Sequence, residues 1–263
     1  MYITSMEGAY SLSGKTAIVT GGNRGIGFGI ATAFAHQGAD IAILCRDEES
    51  AANAIAELSG KYKGTYKFYK TDISDMQNCK ESVAKVLSDF KQIDILVNNA
   101  GIGVIGKVLD MDDELSSWFQ CFNVDLHGAA RMCYLVGKHM KEHGKGGSII
   151  NITSNAGAIV NAPNVMTAYS CSKAALNQFS KCLAYEFSDF NVRVNAIAPG
   201  FTFSDLSSKM PKEAYDALCT KIPAGRFGQA VEIGALAAYL ASDASGILTG
   251  DVITIDGGYS LPR

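Results

Sequence analysis

Short runs of β-branched and aliphatic residues recur along the chain. Between them lie longer stretches in which apolar positions return every three or four residues. Seven of the short runs predict strands: TAIVT from Thr16, IAIL from Ile41, YKFYK from Tyr66, IDILV from Ile93, SIINI from Ser148, VRVNAI from Val192 and VITI from Val252. Stretches such as GIGFGIATAFAHQGA and MQNCKESVAKVLSDFKQ predict helices. Several strands are apolar on both faces, which suits parallel strands covered by helices on each side. The alternation predicts an α/β fold: a single-domain, doubly wound parallel sheet of the Rossmann-like kind, with about seven strands and helices on both faces. The pattern predicts an N-terminal arm over residues 1–13 and one domain over 14–263. Within that domain an excursion over about 201–225, broken by Pro211 and Pro223, is expected to form a lid.

Composition narrows the class. The chain has 263 residues, 48% of them hydrophobic, enough for a large core in one domain. A net charge of −3 without blocks of like charge argues against nucleic acid or a membrane surface as partner. No stretch reaches the length of a membrane span, and MYITSMEGAYSLSGK has no basic start followed by an apolar run. A cytoplasmic location is therefore expected. The seven cysteines are odd in number and never spaced C-x-x-C, which predicts buried, reduced thiols rather than disulfides or zinc. The four histidines also lack a ligand pattern, and no metal is expected.

TAIVTGGNRGIGFGIATAF reads strand, glycine turn, helix. Gly21 permits the sharp exit from the strand. Gly25 and Gly27, with Asn23, Arg24 and Ile26 between and beside them, let backbone N–H groups and a helix start approach a pyrophosphate. A dinucleotide site follows. Cofactor choice is read after the second strand, where Arg46 follows Cys45. Arg24 and Arg46 together would clamp a 2′-phosphate, so NADP(H) is expected over NAD(H). In the alternative, Arg46 is a surface residue and Asp47 holds the ribose of NAD(H).

A tyrosine stands four residues before a lysine three times. Tyr66 and Lys70 lie in a predicted strand and would be about 13 Å apart at roughly 3.3 Å per residue. Tyr134 and Lys138 lie on a predicted helix and would meet, but Tyr134 reads as a packed residue with no polar strand end feeding it. Tyr169 and Lys173 follow GGSIINITSNAG, a strand whose end delivers Ser154 to the edge where the glycine turn opens. An ammonium one helical turn from a phenol favours the phenolate. Tyr169 would then pass a proton to or from a carbonyl or alcohol oxygen, Ser154 would polarise that oxygen, and Lys173 would also hold the nicotinamide ribose.

With these pieces in place, the chain resembles the short-chain dehydrogenase/reductase family from Leu12 to Tyr259. The matching pieces are TGGNRGIG at Thr20, TDIS at Thr71, NNAG at Asn98, NVDLHG at Asn123, NITS at Asn151, YSCSK at Tyr169, APGF at Ala198 and DGGY at Asp256. The resemblance implies a catalytic tetrad of Asn123, Ser154, Tyr169 and Lys173, with Asn123 holding a water that links Lys173 to solvent. It implies that Asp72, with Ile73 beside it, meets the adenine. Asn99, heading the Ala100–Gly101 edge, would support the central strand, and Pro199 and Gly200 would border the nicotinamide. The carboxamide contact divides between Thr202 and Ser204. The family resemblance also implies a homotetramer or homodimer.

The expected substrate is a small carbonyl or alcohol compound. SNAGAIVNAPNVMTAY is similar to the form in sugar-alcohol, ketose and keto-gluconate reductases, and Asn155, Asn161 and Asn164 could recognise hydroxyls. Against that, Phe201, Phe203, Leu206, Met210 and Tyr215 could wall an apolar ligand such as a steroid or an acyl thioester, or simply pack on the protein. An inactive cofactor-binding sensor or partner subunit is the rival of another class, and it would carry a broken tetrad.

Overall fold

The computed structural model describes residues 5–161, 165–203 and 210–261. In chain order the elements are β1 (Thr16–Thr20), α1 (Gly25–His36), β2 (Asp40–Cys45), α2 (Glu48–Lys61), β3 (Tyr66–Lys70), α3 (Met76–Phe90), β4 (Ile95–Asn98), α4 (Ser116–Asp125) and α5 (His127–His143). They continue with β5 (Gly147–Ile152), α6 (Thr167–Phe187), β6 (Val192–Pro199), α7 (Lys212–Cys219), α8 (Ala230–Ala241) and β7 (Val252–Ile255). The seven strands form one parallel sheet in the order β3-β2-β1-β4-β5-β6-β7.

The two-sided apolarity of the strands has a direct structural reading. Ala17, Val19, Ile41, Ile43, Ile95 and Val97 face one core, shared with α1, α2 and α8. Their chain neighbours Ile18, Ala42, Leu44 and Leu96 face a second core, shared with α3, α5 and the C-terminal part of α6. Successive strand side chains point to opposite faces, so a strand covered on both sides reads as a nearly continuous apolar run instead of an alternation. The order reverses between β1 and β4, and ligand crevices open at such a switch point beyond the carboxyl ends of the strands.

Two polar devices fix the elements around that crevice. Thr20 Oγ1 donates to Val97 O and accepts from the N–H groups of Asn99 and Ala100, while Asn99 Nδ2 donates to Thr20 O at 2.9 Å. These bonds staple the end of β1 to the end of β4. Deeper down, Asn98 Nδ2 donates to Asn151 Oδ1, Asn151 Nδ2 donates to Ser180 Oγ, and Ser180 donates to Leu176 O. All three residues are buried, so this chain of amides locks α6 onto the middle of the sheet.

Two sequence expectations need correction here. Tyr134 is not packed; it is 60% exposed, because Ala129, Met132, Cys133, Val136 and Met140 form the buried face of α5. The cysteines are all unpaired, but Cys171 and Cys182 are exposed rather than buried. On α5, His139 Nε2 accepts from the Ile93 N–H at 3.2 Å, and burial lowers its pKa. Among the described residues no helix is long and apolar enough to cross a membrane.

Candidate active site

Two cavities of about 320 Å³ each open along the carboxyl edge of the sheet and share Ile26, Asn99, Gly101 and Ile102. They form one groove. Its first half is built on the glycine turn. Gly21 (φ +63°) and Gly25 (φ +54°) take left-handed backbone that favours glycine. Gly27 has a different reason: a Cβ there would lie 2.2 Å from Gly21 O. The turn thus folds tightly over the start of α1, with Asn23, Arg24 and Ile26 also lining the cavity. Across from them lie Arg46, Asp72 and Ile73, and the floor is Asn99, Ala100 and Gly101.

The charges of this half are sorted by local bonding. Asp47 caps α2, its carboxylate accepting from the Ser50 N–H at 3.2 Å. Burial pushes the Asp72 carboxyl up, but hydrogen bonds from Ser74 and the charges of Arg46 and Arg131 outweigh it, and its pKa is lowered. Arg24 and Arg46 are both exposed, and neither forms an ion pair among the described residues. A dinucleotide fits this set: a glycine cradle with no room for a Cβ at Gly27, a helix N-terminus, and two guanidinium groups outside any ion pair where a ribose phosphate would lie.

The second half holds the reactive groups. Ser154 follows β5, and its Oγ accepts from the Ala156 N–H at 3.1 Å, which leaves the hydroxyl proton free to be donated. Tyr169 lies in the first turn of α6 and lines the same cavity. Lys173, one turn on, is 4% exposed. Its Nζ donates to Ile152 O at 3.2 Å and lies 5.5 Å from the centre of the Tyr169 ring. Pro199, Gly200 and Phe201 close the far wall. The structure therefore brings a phenol, an ammonium and a hydroxyl to one cleft that continues into the dinucleotide groove.

A family model described as enoyl-(acyl carrier protein) reductase matches residues 21–260. A solved short-chain type dehydrogenase/reductase from Mycobacterium marinum superposes with a TM-score of 0.92 at 34% identity, covering 98% of this chain and 100% of that one. The chain belongs to the short-chain dehydrogenase/reductase family. It is 36% identical over 261 residues to an NADP-dependent mannitol dehydrogenase of Alternaria alternata, covering 98% of this chain and 97% of the relative. It is also 37% identical over 247 residues to a 3-oxoacyl-(acyl-carrier-protein) reductase of Chlamydia muridarum, covering 94% and 98%. As a short-chain dehydrogenase/reductase it is an oxidoreductase.

Within this short-chain dehydrogenase/reductase, not every expected residue reaches the groove. Asn123 does not face Lys173. Its Oδ1 accepts from Arg131 Nη2 at 2.7 Å, and it lines neither cavity. The residue that faces Lys173 is Asp125, two positions on and on the other side of α4, with Oδ2 at 3.4 Å from Nζ. Its sequence signal was an acidic residue closing a helix, where the helix dipole disfavours negative charge. Thr202 lines neither cavity, and its hydroxyl donates to Gly200 O. Ser204, Asn164 and Leu206 lie outside the described residues. Asn155 donates to Asp256, whereas Asn161 lines the cleft with a buried Oδ1 that has no partner among the described residues. The aromatics expected to wall a ligand pack on aromatic partners: Phe201 stacks on Phe227 and meets Tyr259 edge-on, and the rings of Tyr215 and Phe227 lie 4.6 Å apart, centre to centre.

Proposed function

We propose that this enzyme interconverts a ketose and its polyol with NADP(H), acting as one catalytic unit over residues 14–263. The observation that carries the reaction is the meeting of Ser154, Tyr169 and Lys173 in the cleft that opens onto the dinucleotide groove. Bound there, the nicotinamide supplies or accepts hydride at the reacting carbon. Tyr169 delivers a proton from its phenol to the carbonyl oxygen in reduction, and takes one from the alcohol in oxidation. Ser154 donates to the same oxygen as negative charge develops on it. Lys173 steadies the phenolate left behind.

Arg24 and Arg46 favour the 2′-phosphate of NADP(H). Asp47, which is the alternative ribose ligand for NAD(H), is already engaged as a helix cap. The relative from Alternaria alternata is named as NADP-dependent, in agreement. The substrate class rests on Asn161. Its side-chain carbonyl oxygen is buried with no partner among the described residues, which is costly unless a ligand donates to it, and a polyhydroxy substrate brings such donors. The apolar alternative has weaker footing, because Phe201, Tyr215 and Phe227 already satisfy one another. An oligomer of two or four copies fits the exposed Phe119 of α4 and Tyr134 of α5, and a cytoplasmic setting fits the unpaired cysteines.

Absorbance of NADPH, followed with ketoses, keto-gluconates, ketosteroids and acetoacetyl thioesters, tests the substrate class; turnover confined to the last two would overturn it. Tyr169→Phe should retain NADPH binding and lose turnover by about 10²–10⁴-fold. Retention of most turnover would remove Tyr169 as the proton donor, and absence of turnover in the wild type on every substrate would favour a cofactor-binding sensor.

A further inference from the structure

We infer that Asp125 is a positioning residue: acting through Lys173, it raises the proton affinity of Tyr169 and biases the site toward carbonyl reduction. The inference rests on Tyr169 being the proton donor proposed above. Asp125 is 1% exposed and closes α4. Its Oδ1 accepts from the Ile102 N–H at 2.8 Å, but Oδ2 is buried and has no hydrogen-bond partner, and it is aimed at Lys173 Nζ 3.4 Å away. The lysine side chain is 5% exposed and that of Asp125 is 0% exposed, so water screens neither charge well. The ammonium therefore stands between a carboxylate and the phenol ring.

The remaining groups around the ammonium do not compete. On α4, Cys121 turns its Sγ toward Ser172, and burial pushes its thiol up, which keeps it neutral. On α6 the other titratable neighbour is Cys171, which is exposed. Among the described residues, the end of β5 and the loop after β4 bring no charged side chain to the cleft: Ile152, Thr153 and Ser154 come from the first, and Asn99, Gly101, Ile102 and Gly103 from the second. Asp256, beyond Asn155, is held by Ser260 and by backbone N–H groups, so its charge is spent locally. The balance is thus between three groups: Asp125, Lys173 and Tyr169.

An ammonium alone beside a phenol favours loss of the phenolic proton. A carboxylate in contact with that ammonium offsets its charge as felt by the phenol. The phenol then keeps its proton more readily than it would beside an uncompensated ammonium, and the protonated form is the one a carbonyl needs. The effect also holds Lys173 in place, since a buried ammonium without a counter-charge would tend to lose its proton.

The test is a substrate-free ultraviolet difference titration of the phenolate, taken as protein minus its Tyr169→Phe counterpart. Asp125→Asn keeps the oxygen that accepts from Ile102 and removes the charge. Its midpoint should fall by about one pH unit or more relative to wild type, and the acid limb of alcohol oxidation should move down with it. An unchanged or higher midpoint would overturn the inference; a merely structural role for Asp125 would alter stability and leave the midpoint where it was. Should the variant not fold, infrared spectroscopy of wild-type protein labelled with ¹³C-carboxyl aspartate decides. No buried protonated carboxyl band at neutral pH is expected, and one present in the wild type would overturn the inference. The titration needs no turnover, so it fails separately from the donor assignment, which Tyr169→Phe kinetics test.

Discussion

Replacing Gly27 with alanine puts one methyl group where the glycine turn closes on its helix. The new Cβ would lie 2.2 Å from Gly21 O and 2.5 Å from Asn99 Nδ2. Both neighbours must retreat by about 1 Å to reach an ordinary contact. Asn99 Nδ2 now donates to Thr20 O at 2.9 Å and to Gly21 O at 3.2 Å, and a shift of that size stretches both beyond hydrogen-bond range. Two lost bonds at about 1 kcal/mol each, with about 1–3 kcal/mol of overpacking, give a destabilisation of about 3–5 kcal/mol. For a chain of this size the midpoint of thermal unfolding should fall by roughly 10 °C. Gly25→Ala is the control: a Cβ there meets nothing within 4 Å, and only the left-handed backbone at φ +54° is penalised, by about 1–2 kcal/mol. Circular dichroism melts and NADPH fluorescence titrations of both variants would show Gly27→Ala losing more stability and more cofactor affinity. If Gly27→Ala melted no lower than Gly25→Ala and bound NADPH as wild type does, close approach would not be the reason for glycine at 27.

Arg46→Asp should weaken NADPH far more than NADH in binding titrations, because it replaces a free cation with a charge that repels a 2′-phosphate; equal losses would refute the clamp. Asn161→Leu should raise KM for polyols and ketoses by about 10-fold or more, since it removes a polar side chain that lines the cleft, while NADPH affinity stays unchanged. An unaltered KM would remove Asn161 from the substrate site.

Much of the fold was legible because parallel strands buried on both sides leave a strong local signal. TAIVT, YKFYK and VITI coincide with β1, β3 and β7 as observed, and the remaining strands differ only at their ends. The Tyr169–Lys173 placement was legible for a related reason: strand β5 and the glycine turn after β1 must open on the same edge. The partner of Lys173 was not. Asn123 and Asp125 are both polar residues on α4, and only the rotation of that helix against α6 decides which one turns inward. Tyr134 failed similarly: apolar neighbours in sequence do not reveal which face of α5 is covered. Phe201 and Tyr215 looked available to a ligand because their partners, Phe227 and Tyr259, come from later in the chain.

The buried run from Asn98 through Asn151 to Ser180 has a consequence for how this enzyme tolerates change. Greasy contacts between a helix and a sheet can slide and refill; paired amides cannot, because a slip of one turn would strand each of them in a dry interior. The run works as an indexing pin that fixes the height of Tyr169 above the strands. Neighbouring aliphatic positions are free to drift in sequence, whereas a swap at Asn151, far below the groove, would detune the chemistry as surely as one inside it.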